Sequence, residues 1–451
     1  MVNNRSLVVS LAILLSFVPS ASALAEKPAV DLAEGARLFE ENCARCHGAG
    51  GAGDGRDASK MLPRPRVLTD GVYKFRTTAS GTIPTDENLY KTISEGLPGS
   101  RMPNFDKLPE ESRWQLVYYI KSLAPSVFTP DQKTEVLNMG RDPGEFKADM
   151  TKGKELYTQL GCNACHGAAG RADGPSAPTL VDQWNNPIRS ADLTYGWNYR
   201  GGSEPRDIVT RLIAGIDGTP MPSYADAVKT EDAWNLAYYV HSLQVKSNWS
   251  RTLNAAAVDA LPESADDPLW QRAERTDLRM ASNYYVNGEL VPARIIAVSA
   301  QALHDGKTVL LRLQWHDLNE TKEGTPDALA VALMADARAK WAGGSLRGWP
   351  STGSPELDLI YWAAGWPEAK ETAGLSLAAP EKWNGSRPTS ASYADGEWTL
   401  MIRRPLQPEF EKGVSLMKNG RVGIGFMAWE GSSNEQGRHR SNSSWIDLVL
   451  N

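Results

Sequence analysis

The sequence predicts a multidomain chain in which two small α-helical modules precede a C-terminal antiparallel β-sandwich. The first observation is an internal repeat: Cys43 and Cys162 are 119 residues apart, as are Met102 and Met221, and Trp114 and Trp234 are 120 apart. Self-similarity at a fixed offset marks one module used twice. The second is that each copy closes on a run with helical spacing, Trp114-Gln-Leu-Val-Tyr-Tyr-Ile-Lys-Ser-Leu123 and Trp234-Asn-Leu-Ala-Tyr-Tyr-Val-His-Ser-Leu243. The apolar positions of such a run form one face that packs on a core. The third is a change of character beyond residue 268, where ten of the fifteen tryptophans fall, cysteine is absent and short apolar or alternating runs recur between turn residues.

Taken in order, residues 1–25 place Arg5 ahead of an apolar run from Leu7 to Val18 and end in Ala23-Leu24-Ala25. This reads as a secretory signal cleaved after Ala25. An uncleaved anchor is the alternative, but the run falls short of the roughly twenty apolar residues that span a bilayer. The remaining chain is too long for one ordinary core. The full chain is globular in composition, 41% hydrophobic and 23% charged with a formal charge of −6, and loss of Arg5 with the signal makes the remainder slightly more acidic. No basic block points to nucleic acid, and a mildly acidic surface suits a basic redox partner.

The repeat assigns residues 31–126 to the first module and 150–245 to the second. Each begins with a matched stretch, Gly35-Ala36-Arg37-Leu38-Phe39 against Gly153-Lys154-Glu155-Leu156-Tyr157, and leads into a pentad, Cys43-Ala-Arg-Cys46-His47 or Cys162-Asn-Ala-Cys165-His166. A C-x-x-C-H pentad is the attachment site of a c-type haem, with two thioether bonds to the cysteines and the histidine as one axial ligand of the iron. The two pentads use all four cysteines. A pair of disulfides or a shared zinc site would use the thiols but would not explain a histidine after each second cysteine. Asp54-Gly55 and Asp173-Gly174 follow, then Leu68-Thr69 with Phe75-Arg76, matched by Leu193-Thr194 with Tyr199-Arg200. The proline-rich stretches 63–65 and 175–178 cannot be helical, and a proline carbonyl in each could accept the ring N–H of the ligating histidine. The sixth ligand of each iron is expected from Met102 and Met221, each 55 residues after its histidine and each between glycine and proline. Met102 and Met221 would then fill the last axial positions, raise the haem potentials and leave no open site for substrate.

With these features both modules resemble class I cytochrome c domains, which implies small helical folds that carry electrons. His241 stands where the first copy has Lys121 and reads as a surface helix residue. Residues 246–268, rich in Ser, Asn, Ala, Asp and Pro, read as a linker. In residues 269–451 strands are expected over 291–299, 309–315, 328–334, 357–363, 398–403, 422–429 and 445–450.

Through Asp395-Gly-Glu-Trp-Thr-Leu-Met-Ile-Arg-Arg-Pro405 and the closing run from Val422 to Trp445, this segment resembles the haem-binding domain of ethylbenzene dehydrogenase and dimethylsulfide dehydrogenase gamma subunits. The resemblance implies a non-covalent b-type haem between a methionine and a lysine, and electron relay from a molybdenum and iron–sulfur enzyme. Here the lysine position holds Arg440, which has no lone pair for iron, and residues 340–350 contain no methionine. His439 is the first candidate for a substitute ligand and Met334 the second, or else His439 and Arg440 are solvated or bind an anion. His304 and His316 read as structural. The expectation is that the sandwich folds without haem and serves as a docking surface.

The function expected is that of a periplasmic electron-transfer protein with two covalent haems c. Its partners would be molybdenum/iron–sulfur oxidoreductase subunits, of the nitrate reductase and nitrite oxidoreductase kind, and a soluble or membrane-bound carrier. A di-haem peroxidase is the enzyme alternative, and it needs an iron whose methionine is absent or displaceable. The other alternative is a cytochrome tethered by a sandwich that binds carbohydrate or cell wall, its tryptophans serving as stacking platforms.

Overall fold

A computed structural model describes residues 27–132, 134–246, 250–282, 284–286, 289–335, 357–373, 379–383, 385–409, 413–417 and 421–451. The expected signal, residues 1–25, and the 340–350 stretch lie outside these. The first module contains helices α1 (Leu32–Asn42), α2 (Ala44–His47), α3 (Asp86–Glu95) and α4 (Glu110–Ser122); the second contains α5 (Met150–Gln159), α6 (Asn163–His166), α7 (Pro205–Ala214) and α8 (Thr230–Ser242). Among the described residues, no helix is long and apolar enough to cross a membrane.

Each module rests on a crossing of its first and last long helices. Asp31 caps α1 by accepting from the amides of Ala33 and Glu34, and Asp149 caps α5 through Lys152. The closing helix ties back to the same caps, since Gln115 accepts from the Asp31 amide and Asn235 from that of Asp149. At the crossing the matched glycines are required: a Cβ on Gly35 would lie 2.6 Å from the Gln115 carbonyl oxygen, and one on Gly153 would lie 2.3 Å from that of Asn235. Leu38, Phe39, Leu116 and Val117 fill the first core, and Leu156, Tyr157, Leu236 and Ala237 the second.

The third domain is a strongly curved β-sheet. Its strands are β1 (Thr252–Ala257), β2 (Thr276–Ser282), β5 (Ala297–His304), β6 (Thr308–His316), β7 (Ala328–Met334), β8 (Leu357–Ala363), β9 (Glu368–Ala373), β10 (Gly385–Ala394), β11 (Glu397–Pro405), β12 (Arg421–Trp429), β13 (Ser441–Ser443) and β14 (Ile446–Leu450), with a small hairpin of β3 (Tyr285–Val286) and β4 (Glu289–Leu290) beside it. The order is β1-β14-β12-β13-β2-β5-β6-β11-β10-β9-β8-β7, and further pairings of β1 with β5 and β12 with β7 fold it into a barrel-like sandwich. Period-two alternation builds two apolar layers: Leu329, Val331 and Leu333 of β7 enter the main core, while Ala328, Ala330, Ala332 and Met334 face a second cluster with Trp429 and Trp445.

Three expectations are corrected. The stretch read as a linker contains β1, which pairs in parallel with β14 and β5, so the sheet is mixed; Leu253 and Ala255 are buried there, an alternation too short and too alanine-rich to stand out. The strand expected over 291–299 lies at 297–304, because β5 is buried at almost every position and has no alternation to mark its ends. Strands β2, β9, β10 and β13 were not anticipated, being rich in polar residues. Three of the tryptophans expected as stacking platforms are core: Trp315, Trp362 and Trp398 pack against one another with ring centroids 5.1–6.3 Å apart.

The polar residues of β9 and β10 serve a buried ion network. Arg404 pairs with Asp358 at 2.6 Å and Glu371 at 3.0 Å, Arg387 also pairs with Glu371, and both carboxylates are fully buried. Removing one partner strands a charge in the core. Arg404→Met should therefore lower stability by about 3–5 kcal/mol, read as a lower denaturant midpoint in tryptophan fluorescence, whereas Arg421→Met at an exposed pair should change it by less than about 1 kcal/mol.

Candidate functional site

The pentads lie where α1 and α5 end. Cys43 terminates α1 and the next turn, α2, carries Cys46 and His47; Cys162 precedes α6 in the same way. The His47 amide donates to the Cys43 carbonyl and the His166 amide to that of Cys162, both at 2.9 Å, so one helical turn sets cysteines and histidine together. The loop that returns past each pentad needs glycine: a Cβ on Gly55 would lie 2.5 Å from the Arg45 carbonyl oxygen, and one on Gly174 would lie 2.3 Å from that of Ala164. All four cysteines are free thiols. Burial pushes Cys43 up to about 12 and Cys162 up to about 11.

Each histidine is oriented by a backbone carbonyl. His47 Nδ1 bonds to the carbonyl of Arg66 at 2.9 Å and His166 Nδ1 to that of Ala191 at 2.8 Å. Burial holds both imidazoles below their usual range. A neutral ring that donates from Nδ1 keeps the Nε2 lone pair free for iron. The acceptors are not the expected prolines. Both stand two residues before the matched leucines, Leu68 and Leu193, and the second copy reaches that leucine through a longer loop, so the register is kept from the leucine backwards.

The methionine loops are built alike. The Leu97 amide donates to the Met102 carbonyl at 3.0 Å and the Ile216 amide to that of Met221 at 3.1 Å. The Met102 amide donates to Ser100 Oγ and that of Met221 to Thr219 Oγ1. Met221 and Cys162 line the edge of one apolar cluster. With free paired thiols, carbonyl-held histidines and a methionine loop in each copy, these residues fit a covalently attached haem.

The two modules grip each other through these loops. Buried Arg76 of the first donates to the Ala214 carbonyl at 2.9 Å and pairs with Asp217 at 2.8 Å, both on the approach to Met221. Its repeat counterpart Arg200 reaches back to the Gly99 carbonyl at 3.4 Å, on the approach to Met102. Ser80 and the Gly81 amide also donate to Asp217, Trp184 donates to Asp70, and the Arg66 guanidinium lies 4.3 Å over the Trp184 ring. These crossed contacts are invisible in spacing. Only the Phe75-Arg76 and Tyr199-Arg200 repeat pointed to them.

The β-domain closes on both modules. Arg279 of β2 donates to the carbonyls of Gly99 and Ser100 in the first methionine loop. His316, at the end of β6, bonds from Nδ1 to Asp192 at 3.0 Å, lies 3.3 Å from Glu397 and packs on Tyr195. Asp192 directly follows Ala191, the acceptor for His166. His316 is thus a contact between domains, a role its lone position in the sequence did not signal. His304 bonds to the Asn451 carbonyl, and His241 sits in the last turn of α8.

The three residues considered for a b-type haem are not brought together. Met334 pairs with Gly423 near one end of β12, whereas Trp429, at the other end, donates to the Gly437 carbonyl beside His439 and Arg440. Six residues of strand, about 20 Å, separate the two places. His439 stacks on Tyr284 and lies near Glu435, while Arg440 lies over Trp429 and donates to Asn442 and the Gly437 carbonyl.

The cytochrome c family matches residues 32–124 and 150–244. Among curated relatives, a cbb3-type cytochrome c oxidase subunit CcoP of Azospirillum sp. (strain B510) is 29% identical over 47% of this chain and 62% of its own length, and the chlorate reductase subunit gamma of Ideonella dechloratans is 26% identical over 41% and 77%. The chain thus spans less than two thirds of the oxidase subunit. Among solved structures, a chain of the reducing HAO-like protein complex of Kuenenia stuttgartiensis is 41% identical over 49% of this chain and 100% of its own, with a TM-score of 0.47.

His316 yields a pH test. Burial alone would pull its titration down, but the bonds to Asp192 and Glu397 outweigh that and raise it above 6.5. Such a group stabilises the fold fully below its unfolded value and ceases to do so as pH rises through the folded one. The denaturant midpoint should therefore fall as pH rises above about 6.5, and His316→Ala should weaken that dependence and cost about 1–3 kcal/mol below it. With two matched haem-attachment modules and the sheet domain that closes on them, the chain is multidomain, and its residues 32–124 and 150–244 are two regions that match the cytochrome c family.

Proposed function

We propose that this chain is an exported electron-transfer subunit carrying two covalent haems c, one on Cys43 and Cys46 with His47 and Met102 as axial ligands, the other on Cys162 and Cys165 with His166 and Met221. It passes electrons between a molybdenum/iron–sulfur oxidoreductase and a soluble or membrane-bound carrier, and the β-rich domain docks it to the oxidoreductase. The reading rests above all on the crossed grip, in which Arg76 holds the Met221 loop and Arg200 the Met102 loop. Two pockets whose ligand loops share one interface are arranged to act in series. The similarity to a chlorate reductase gamma subunit supports a reductase partner.

Bound haem c supplies a one-electron couple. The residues of the chain tune and hold it. Arg66 and Ala191 offer carbonyls that keep the proton of each histidine on Nδ1, and Ser100 and Thr219 pin the loops from which the thioethers project. Filled axial positions leave no place for a substrate and favour transfer over turnover.

Denatured mature protein should retain the mass of two haems, and Cys43→Ala with Cys46→Ala should remove one of them; a mass gain of one haem or none for the unaltered chain would defeat the reading. Met102→Ala and Met221→Ala should each abolish one sulfur-to-iron charge-transfer band and lower one potential by on the order of 100 mV, within the range of about 0.8 V that axial ligation spans. Survival of both bands in either variant would remove that methionine from the iron. Co-purification with an oxidoreductase subunit should be lost when residues 250–451 are deleted.

A further inference from the structure

We propose that the β-rich domain holds a structural calcium ion between Asp317, Asp327 and Glu430, at the edge that meets the second cytochrome domain. The three carboxylates converge from separate places: Asp317 follows β6, Asp327 precedes β7 and Glu430 follows β12. All three residues are at least 94% buried, and one oxygen from each lies within 4.8 Å of those from the other two. Two oxygens on opposite sides of a calcium ion, each about 2.3–2.6 Å from it, are separated by about 5 Å. One ion therefore spans the group.

A second observation points to a cation. Oδ2 of Asp317, in a residue only 5% exposed, is buried without a well-formed hydrogen bond, the indole N–H of buried Trp315 being the side-chain donor that bears on this carboxylate. The other oxygens are held from outside the cluster. Asp327 accepts from the Gly431 amide on Oδ1 and from the Thr321 amide and Trp398 Nε1 on Oδ2. Glu430 accepts from the amide and hydroxyl of Ser432 on Oε1 and from the Ser433 amide on Oε2. Asp317 Oδ1 accepts only a long bond, 3.4 Å, from the Asn319 amide. Every oxygen of Asp327 and Glu430 thus has a donor outside the cluster, and the Asp317 carboxylate is the least well served of the three.

The donors select the ion. They are all oxygen, the preference of hard cations, with no nitrogen or sulfur to favour zinc or copper. Magnesium usually keeps several waters, while calcium accepts buried, irregular sets of carboxylates and carbonyls. The ion would also brace the contact between domains. The Asp317 amide donates to the Gly396 carbonyl and Tyr393 to the Asp317 carbonyl, while Arg171 of the second cytochrome domain donates to the carbonyl of Asp395 in the same turn. His316, the neighbour of Asp317, binds Asp192.

The test uses the intact haem-loaded protein, treated with EGTA, exchanged into chelator-free buffer and titrated with calcium chloride or magnesium chloride by calorimetry and thermal melting. One calcium ion per chain should bind at or below about 1 mM, the weak end for extracellular modules. Tm should rise by several degrees, and magnesium should bind at least tenfold more weakly. Asp317→Asn should bind calcium at least tenfold more weakly and lose the rise in Tm, while melting no lower than the calcium-free parent because it removes a repulsive charge. Should that variant fail to fold, Glu430→Gln is read in the same two ways. Absence of calcium binding at about 10 mM, or a calcium-induced rise in Tm that persists in these variants, would overturn the proposal. In the first case the carboxylates share a proton.

Discussion

The buried guanidinium of Arg76 is the contact on which the arrangement of the chain depends. A charge taken out of water must find its partners in place, and those of Arg76 come from both sides of an interface: the carbonyls of Tyr73 and Ala79 in its own domain, the Ala214 carbonyl and Asp217 in the next. The two cytochrome domains cannot slide past each other without stranding it. Because Asp217 and Gly99 precede the methionines, the same constraint that holds the domains together also steadies the loops that would complete each iron site. A rigid ligand loop keeps its geometry through an electron cycle, which is what a carrier requires.

The β-rich domain adds a third support. Arg279 reaches the carbonyls of the Met102 loop, and His316 engages Asp192, one residue past the carbonyl that orients His166. One domain therefore touches the methionine side of the first centre and the histidine side of the second. A partner docked on the sheet would bear on both through short chains of hydrogen bonds, and the carboxylates beneath His316 lie on that route.

Much of the candidate site was legible as text. The pentads, the matched methionines and the Asp-Gly pairs lie at fixed offsets, because attaching one rigid group to a small fold fixes how far along the chain each contact must fall. The proline expectation failed for a related reason: the second copy has a longer loop, so counting from the prolines misplaces a carbonyl that counting from Leu193 locates. In the sheet, Val309 to Trp315 and Val422 to Trp429 were readable because they are apolar and bounded by turns. Strand β9, Glu-Ala-Lys-Glu-Thr-Ala, was not, because its Glu371 is buried against Arg404 and Arg387 and not exposed as its composition suggests.

The sequence by itself determined the repeat, the two attachment motifs, the helices that close each module and the sheet character of the last domain, since each rests on residues near one another in the chain. Only the tertiary structure decided that Arg76 and Arg200 cross between domains, that the stretch after residue 250 supplies a strand, that Met334 and His439 stand at opposite ends of β12, and that three carboxylates from separate loops converge. Those outcomes depend on pairing charges and amides that have left water, and the partners lie as far apart as 138 residues for Arg76 and 195 for the pairing of Thr252 with Asp447. Local periodicity carries no record of a partner that distant.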